Sequence, residues 1–245
     1  MNKNSNKLIV IGHRGACGHV TENTLVSFSK AIDLGVDMIE FDVRLTRDNH
    51  VVVFHDRKTK RMTGKRGSVR SKNLVELAEH KLSDNSSIPT LISALDSVNR
   101  RVPVNIEIKE GGMTDKVAQI VNHYIVDFGW PADKFNISSF RHKELVKFKK
   151  YIPAVPISIL FHRVPKDVGE YVQKFGVYSV NLWKNHATRE VVDDIKVRDR
   201  NVKVFIYTIN EQDELNKMID LGVDGVFSDY PDRIKEWAAD LTRGA

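Results

Sequence analysis

Glu40, Asp42, His55 and Asp56 lie within MIEFDVRLTRDNHVVVFHD (Met38–Asp56), a stretch otherwise built like buried strand. Residues two apart on a strand point to the same side, so Glu40, Asp42 and Arg44 share one face and Ile39, Phe41 and Val43 the other. An unpaired carboxylate taken out of water costs several kcal/mol, so this face needs positive partners. VNIEIK (Val104–Lys109) repeats the pattern, with Asn105, Glu107 and Lys109 alternating with Ile106 and Ile108. If the two strands are neighbours, Glu40, Asp42 and Glu107 aim at one small volume. Three carboxylates that close repel one another unless a cation sits between them. An all-oxygen donor set suits a hard divalent metal, Mg²⁺ or Ca²⁺. The alternative is an inward ion-pair network with Arg44 and Lys109, and spacing alone leaves both open.

GHRG (Gly12–Gly15) adds His13 and Arg14, with glycines on either side that permit close backbone turns. One histidine is more often structural than catalytic. Here His13 and His55 both accompany the acidic cluster, a combination that fits general acid and general base chemistry at an anion. The charge balance points to a phosphodiester. Three carboxylates, one divalent ion, Arg14 and Lys109 leave one net positive charge, which a phosphodiester anion would cancel.

Positioning these groups requires strands that end at a common mouth. KLIVIGH, DMIEFDV, VPVNIEIK, KFNISSF, PISILF, YSVNLW, KVFIYTI and DGVFSD read as eight strands separated by amphipathic helical runs such as NTLVSFSKAIDLG. VVVFHD reads as an excursion of the second strand that turns at RDNH. The alternation predicts a closed (β/α)₈ TIM barrel as one domain over residues 1–245. In that fold the charged face points inward and active sites sit at the C-terminal ends of the strands. Counting VVVFHD as a ninth strand would favour an open doubly wound sheet. Residues 57–87 break the alternation and read as an inserted loop or small lobe. Within them, Arg57–Lys72 holds eight basic and no acidic residues. This run is either a solvated surface loop or a collar that attracts phosphate-bearing ligands.

With 245 residues, 41% hydrophobic and 29% charged, the composition is that of a soluble globular protein. Net charge is +6, a mild excess compatible with an anionic ligand. A single cysteine, Cys17, excludes an intramolecular disulfide and reads as a spectator thiol. The apolar run near the N-terminus is too short for a signal or a membrane span, so the expectation is a cytoplasmic protein without stable membrane insertion. No nucleic-acid partner is expected, and the oligomeric state has no signature in the sequence. His19 and His186 read as loop-packing residues. Trp183 and Lys184 end the sixth strand near the mouth, where they are candidates to line the pocket.

The order and spacing of HRG (His13), ENT (Glu22), IEFDV (Ile39), T-x-D (Thr46), FHD (Phe54), TG-K-x-G (Thr63), IPTL (Ile88), IEIK (Ile106), SSF (Ser138) and GVDGVFSDYPD (Gly222) resemble the glycerophosphodiester phosphodiesterases over essentially the whole chain. The resemblance implies a metal-dependent enzyme that hydrolyses glycerophosphodiesters to sn-glycerol 3-phosphate and an alcohol. It implies that His13 and His55 are the acid/base pair. It assigns the metal to Glu40, Asp42 and Glu107, and the phosphoryl oxygens to Arg14 and Lys109. Two departures stand out: Thr21 where the family usually has Pro, and Tyr207 where Trp is usual. Tyr207 ends the seventh strand, so it is a candidate to pack the alcohol part of the substrate. Two rivals are a lysophospholipase D-like phosphodiesterase and a polyanion or membrane-surface binder that uses residues 57–72. The second explains the basic run but not the carboxylates and histidines together.

Overall fold

The computed structural model describes residues 7–243. Among them are nine strands: β1 (Ile9–Gly12), β2 (Met38–Leu45), β3 (Val51–Val53), β4 (Val104–Ile108), β5 (Phe135–Ser139), β6 (Ile157–Leu160), β7 (Ser179–Trp183), β8 (Lys203–Tyr207) and β9 (Gly225–Ser228). Eight of them run parallel in the order β1-β9-β8-β7-β6-β5-β4-β2, and β1 pairs with β2 to close the ring. This closure overturns the open-sheet alternative. β3 lies antiparallel on the upper half of β2, Val43 opposite Val53 and Leu45 opposite Val51, so it is the predicted excursion of the second strand.

The helices are α1 (Leu25–Asp33), α2 (Lys60–Thr63), α3 (Leu74–Ala78), α4 (Leu91–Val98), α5 (Thr114–Val126), α6 (His142–Tyr151), α7 (Val168–Phe175), α8 (Arg189–Arg198), α9 (Gln212–Asp220) and α10 (Pro231–Arg243). Local chemistry starts several of them. Thr24 and Thr90 accept the N–H of Ser27 and Ser93 at 3.1 and 3.0 Å, which satisfies a donor left open in the first turn. The apolar stripes of the helices pack on the outward residues of the strands. Phe28, Leu95, Phe41, Ile106 and Phe148 meet there with no exposed surface.

The inside of the barrel is divided. Ile11, Met38, Phe205 and Phe227 form a small apolar floor under β1, β2, β8 and β9. Across from it, β4 to β7 contribute the buried polar residues Asn105, Asn136, Ser158, Ser179 and Asn181. Residues 57–87 hold α2 and α3 over an apolar cluster of their own, formed by Val69, Leu77 and Leu82 with Val52 and Phe54 of the β3 region. No helix among the described residues is long and apolar enough to cross a membrane.

Candidate active site

Parallel register sets the acidic cluster. Glu40 is the β2 partner of Asn105 on β4, and Asp42 is the partner of Glu107. The three carboxylates are 4, 1 and 8% exposed, and one oxygen of each lies within 4.8 Å of the others. Lys109 joins them from the end of β4, with Nζ 3.1 Å from Asp42 and 2.6 Å from Glu107. Arg44 does not. It donates to the backbone carbonyl of His55 at 2.9 and 2.7 Å and pairs with Glu110 at 3.1 Å, so it braces the His55 loop. The ion-pair alternative is therefore half met: Lys109 pairs with the cluster and Arg44 does not, while Arg14 stands beside Asp42. Burial pushes Asp42 up, but Lys109 and Arg14 outweigh it and hold its pKa below the ordinary range. Burial and then Asp42 and Glu107 push Glu40 well above that range. Glu107 is raised too, by burial first, against the pull of Lys109. Three buried carboxylates brought this close form a donor set suited to a hard divalent cation.

The turn after β1 closes the second side. Gly15 has φ +86°, and a Cβ there would fall 2.3 Å from Ser27 Oγ, so only glycine lets this turn dock on α1. Arg14 is itself left-handed, at φ +52°, and its backbone N–H donates to Glu40 at 2.9 Å. Its guanidinium donates to Glu22 at 2.9 Å and lies 3.5 Å from Asp42. The next residue of the ENT motif, Asn23, donates to the Asp42 carboxylate at 3.0 Å. ENT thus holds Arg14 with its first residue and Asp42 with its second, and caps α1 with its third.

Each histidine has a carboxylate behind it. His13 Nδ1 is 2.6 Å from Asp229, and His55 Nδ1 is 2.7 Å from Asp56. An Nδ1–H that donates to a carboxylate fixes the tautomer and leaves Nε2 as the unprotonated nitrogen of the neutral ring. Asp229 also accepts from Asn210 Nδ2 at 2.7 Å and from the Cys17 thiol at 2.9 Å. Burial and then Asp229 push that thiol far up, so Cys17 stays protonated. Asp56 is gripped by Arg61 at 2.6 and 3.1 Å. Arg61 in turn donates to Glu22 at 2.9 and 2.7 Å. Asp56 is pushed up by burial but falls to about 2 under the hydrogen bonds from Arg61 and His55. His55 is lowered, chiefly by burial, against the pull of Asp42.

His13, Arg14, Glu40, Asp42, His55, Glu107, Lys109 and Tyr207 line one cavity of about 180 Å³ with Asn105, Phe140, Leu160, Asn181 and Phe227. Trp183 stands apart from it. It is 43% exposed at the end of β7 and meets His186 edge-on. The sequence alone assigns no role to Glu22, Asp56, Asp229 and Asn181, while Arg61 belongs to a stretch that matches the family's motif. The signal for Asp229 and Asp56 was position: each is a carboxylate at the same barrel mouth as a histidine.

A (β/α)₈ barrel with these groups at its mouth falls among the enzymes that act on anionic esters. The chain belongs to the glycerophosphoryl diester phosphodiesterase family, whose model matches residues 13–233. It is 32% identical over 240 residues to the glycerophosphodiester phosphodiesterase of Bacillus altitudinis, covering 91% of this chain and 95% of the relative. It is 28% identical over 273 residues to lysophospholipase D of Rattus norvegicus, covering 95% of this chain and 85% of the relative. The solved phosphodiesterase of Oleispira antarctica, in complex with the product sn-glycerol-3-phosphate, superposes with a TM-score of 0.85 at 29% identity, over 95% of this chain and 96% of that one.

Proposed function

We propose that the protein hydrolyses glycerophosphodiesters to sn-glycerol 3-phosphate and an alcohol, with His13 and His55 as the acid/base pair. The observation that carries this reading is the pair of carboxylate-backed histidines flanking three buried carboxylates in one cavity. Glu40, Asp42 and Glu107 would hold a divalent ion, Mg²⁺ or Ca²⁺, which supplies Lewis-acid polarisation of the phosphoryl group when bound. Arg14 and Lys109 bind the phosphoryl oxygens. Both are held in place before substrate arrives, Arg14 by Glu22 and Lys109 by Glu107. One imidazole Nε2 takes the proton of the nucleophile, and the other returns a proton to the leaving alkoxide. The nucleophile is water or the glycerol 2-hydroxyl. The second route gives a cyclic phosphate first and has a large proximity advantage. Tyr207 packs the organic part of the ester.

The test is a panel of glycerophosphocholine, glycerophosphoethanolamine, glycerophosphoinositol and lysophosphatidylcholine, assayed after chelation and after return of Mg²⁺ or Ca²⁺. Release of glycerol 3-phosphate that stops on chelation and returns with the ion supports the proposal. Turnover of the lysolipid alone would move the substrate assignment to lysophospholipase D. Release that is indifferent to chelation would remove the metal from the scheme.

A further inference from the structure

A run of buried polar side chains crosses the barrel interior from β4 to β7. Asn136 Nδ2 donates to Asn105 Oδ1 at 2.8 Å, and the Ser158 hydroxyl donates to Asn136 Oδ1 at 2.8 Å. Ser179 Oγ lies 2.6 Å from Ser158 Oγ and 2.8 Å from the Asn181 amide oxygen. All five residues are buried, and both ends, Asn105 and Asn181, line the cavity of the active site.

Proton counting fixes which way the far end faces. Ser158 commits its one hydroxyl proton to Asn136. With the Asn181 oxygen toward Ser179, the single Ser179 proton would have to serve both Ser158 and Asn181. One oxygen pair would then face without a proton between. Amide oxygen and nitrogen are nearly equal in size, and their hydrogen bonds decide which is which. Turning the Asn181 amide by half a rotation supplies the missing proton. Its nitrogen then donates to Ser179, Ser179 to Ser158, Ser158 to Asn136, and Asn136 to Asn105. The reverse direction requires both Asn105 and Asn136 to turn, whereas the first turns Asn181 alone, so the first direction holds.

The outcome is a buried acceptor on a residue that lines the cavity. The Asn181 amide atom turned away from Ser179 has no hydrogen-bond partner, although the residue is 1% exposed. A buried polar atom left this way is costly until a ligand pairs with it. In the strand order, β7 stands opposite β2, so Asn181 faces the acidic cluster across the cavity. The other residues on its side of the lining, Leu160, Tyr207, Thr208 and Phe227, carry no charge. A phosphoryl oxygen of the diester cannot donate to an amide carbonyl, whereas an alcohol hydroxyl can. We infer that the Asn181 carbonyl oxygen accepts a hydrogen bond from a hydroxyl of the glycerol moiety, with the Asn105–Asn136–Ser158–Ser179 ladder fixing its orientation. This assignment rests on the glycerophosphodiester reading above.

Calorimetry on the Mg²⁺-loaded protein tests it, with sn-glycerol 3-phosphate, propane-1,2-diol 1-phosphate (which lacks the terminal hydroxyl) and inorganic phosphate. The parent should prefer glycerol 3-phosphate. Asn181→Leu should weaken glycerol 3-phosphate by roughly ten- to a hundredfold, the scale of one lost buried hydrogen bond, and leave phosphate binding unchanged. That unchanged value also shows that the variant is folded. Ser179→Ala, which leaves Asn181 in place but removes its orienting partner, should lose a smaller part of the same preference. A parent with no preference for glycerol 3-phosphate over phosphate overturns both the substrate reading and this assignment. A parent preference that survives in Asn181→Leu, or a variant that loses phosphate and glycerol 3-phosphate equally, overturns the assignment alone.

Discussion

The two histidines face one cavity but are held in different ways. Asp229, behind His13, is fixed by Asn210, whose side chain donates to its carboxylate and accepts its backbone N–H at 2.9 Å, and by a protonated thiol. All of these are neutral groups at strand ends and their loops. Asp56, behind His55, is fixed by Arg61, whose side chain is 47% exposed on the four-residue helix α2. Arg61 also grips Glu22, which grips Arg14. One imidazole is thus tied to the barrel frame and the other to a chain of charges near the surface. The first arrangement is local and insensitive to salt. The second links the orientation of His55 to that of Arg14, and salt can reach it.

The largest effect is expected at the acidic cluster between the two dyads. Asp42→Asn or Glu40→Gln should abolish turnover and weaken Mg²⁺ or Ca²⁺ binding in calorimetry, with the circular dichroism of the barrel retained. Tight binding by both variants would remove them as ligands. Next come the histidines. His13→Ala and His55→Ala should each lose about 10²–10⁴ in rate on glycerophosphocholine. A nitrophenyl diester needs no proton on its leaving group, so the variant that lacks the acid should recover on it. Equal losses on both substrates would contradict the division of roles.

Arg61 sharpens the contrast directly. Arg61→Ala should lower kcat through His55 and raise KM through Arg14, by roughly tenfold or more in kcat/KM. Arg61→Lys should rescue little, because an ammonium cannot hold two carboxylates at once. If Arg61→Ala changes KM alone, Asp56 holds His55 without help. The smallest effect is expected from Lys58 and Lys60. Replacing both with Gln should raise KM and flatten the salt dependence of kcat/KM, with kcat within a few-fold of the parent. No change in either parameter would make this part of the basic run a plain solvated loop.

Strand alternation made the acidic face legible: Glu40, Asp42 and Glu107 are charged where period two demands an inward position. Alternation also explains what was misjudged. Trp183 follows Ser179 and Asn181 on the inward face, but the chain turns into a 3₁₀ segment at Lys184 and the indole ends outside the cavity. Asn181 was overlooked in the same strand because a buried amide carries no charge to draw the eye. Arg61 sits among eight basic residues, and no local pattern marks it as the one that reaches both Asp56 and Glu22. Only the closed ring brings Asp229 to His13, and no local pattern encodes a contact across 216 positions.

The seam between β1 and β2 has a consequence in time. β1 pairs with β2 through Ile11 and Gly12 alone, and through all four of its residues with β9. During synthesis β1 can therefore complete its pairing only once residues 225–228 have left the ribosome. Such long-range closure is slow and comes late in folding. Asp229 is the very next residue, so His13 gains its carboxylate in the same event that shuts the barrel. The growing chain can carry Glu40, Asp42 and Glu107 and still lack the carboxylate behind His13 until residue 229 is made.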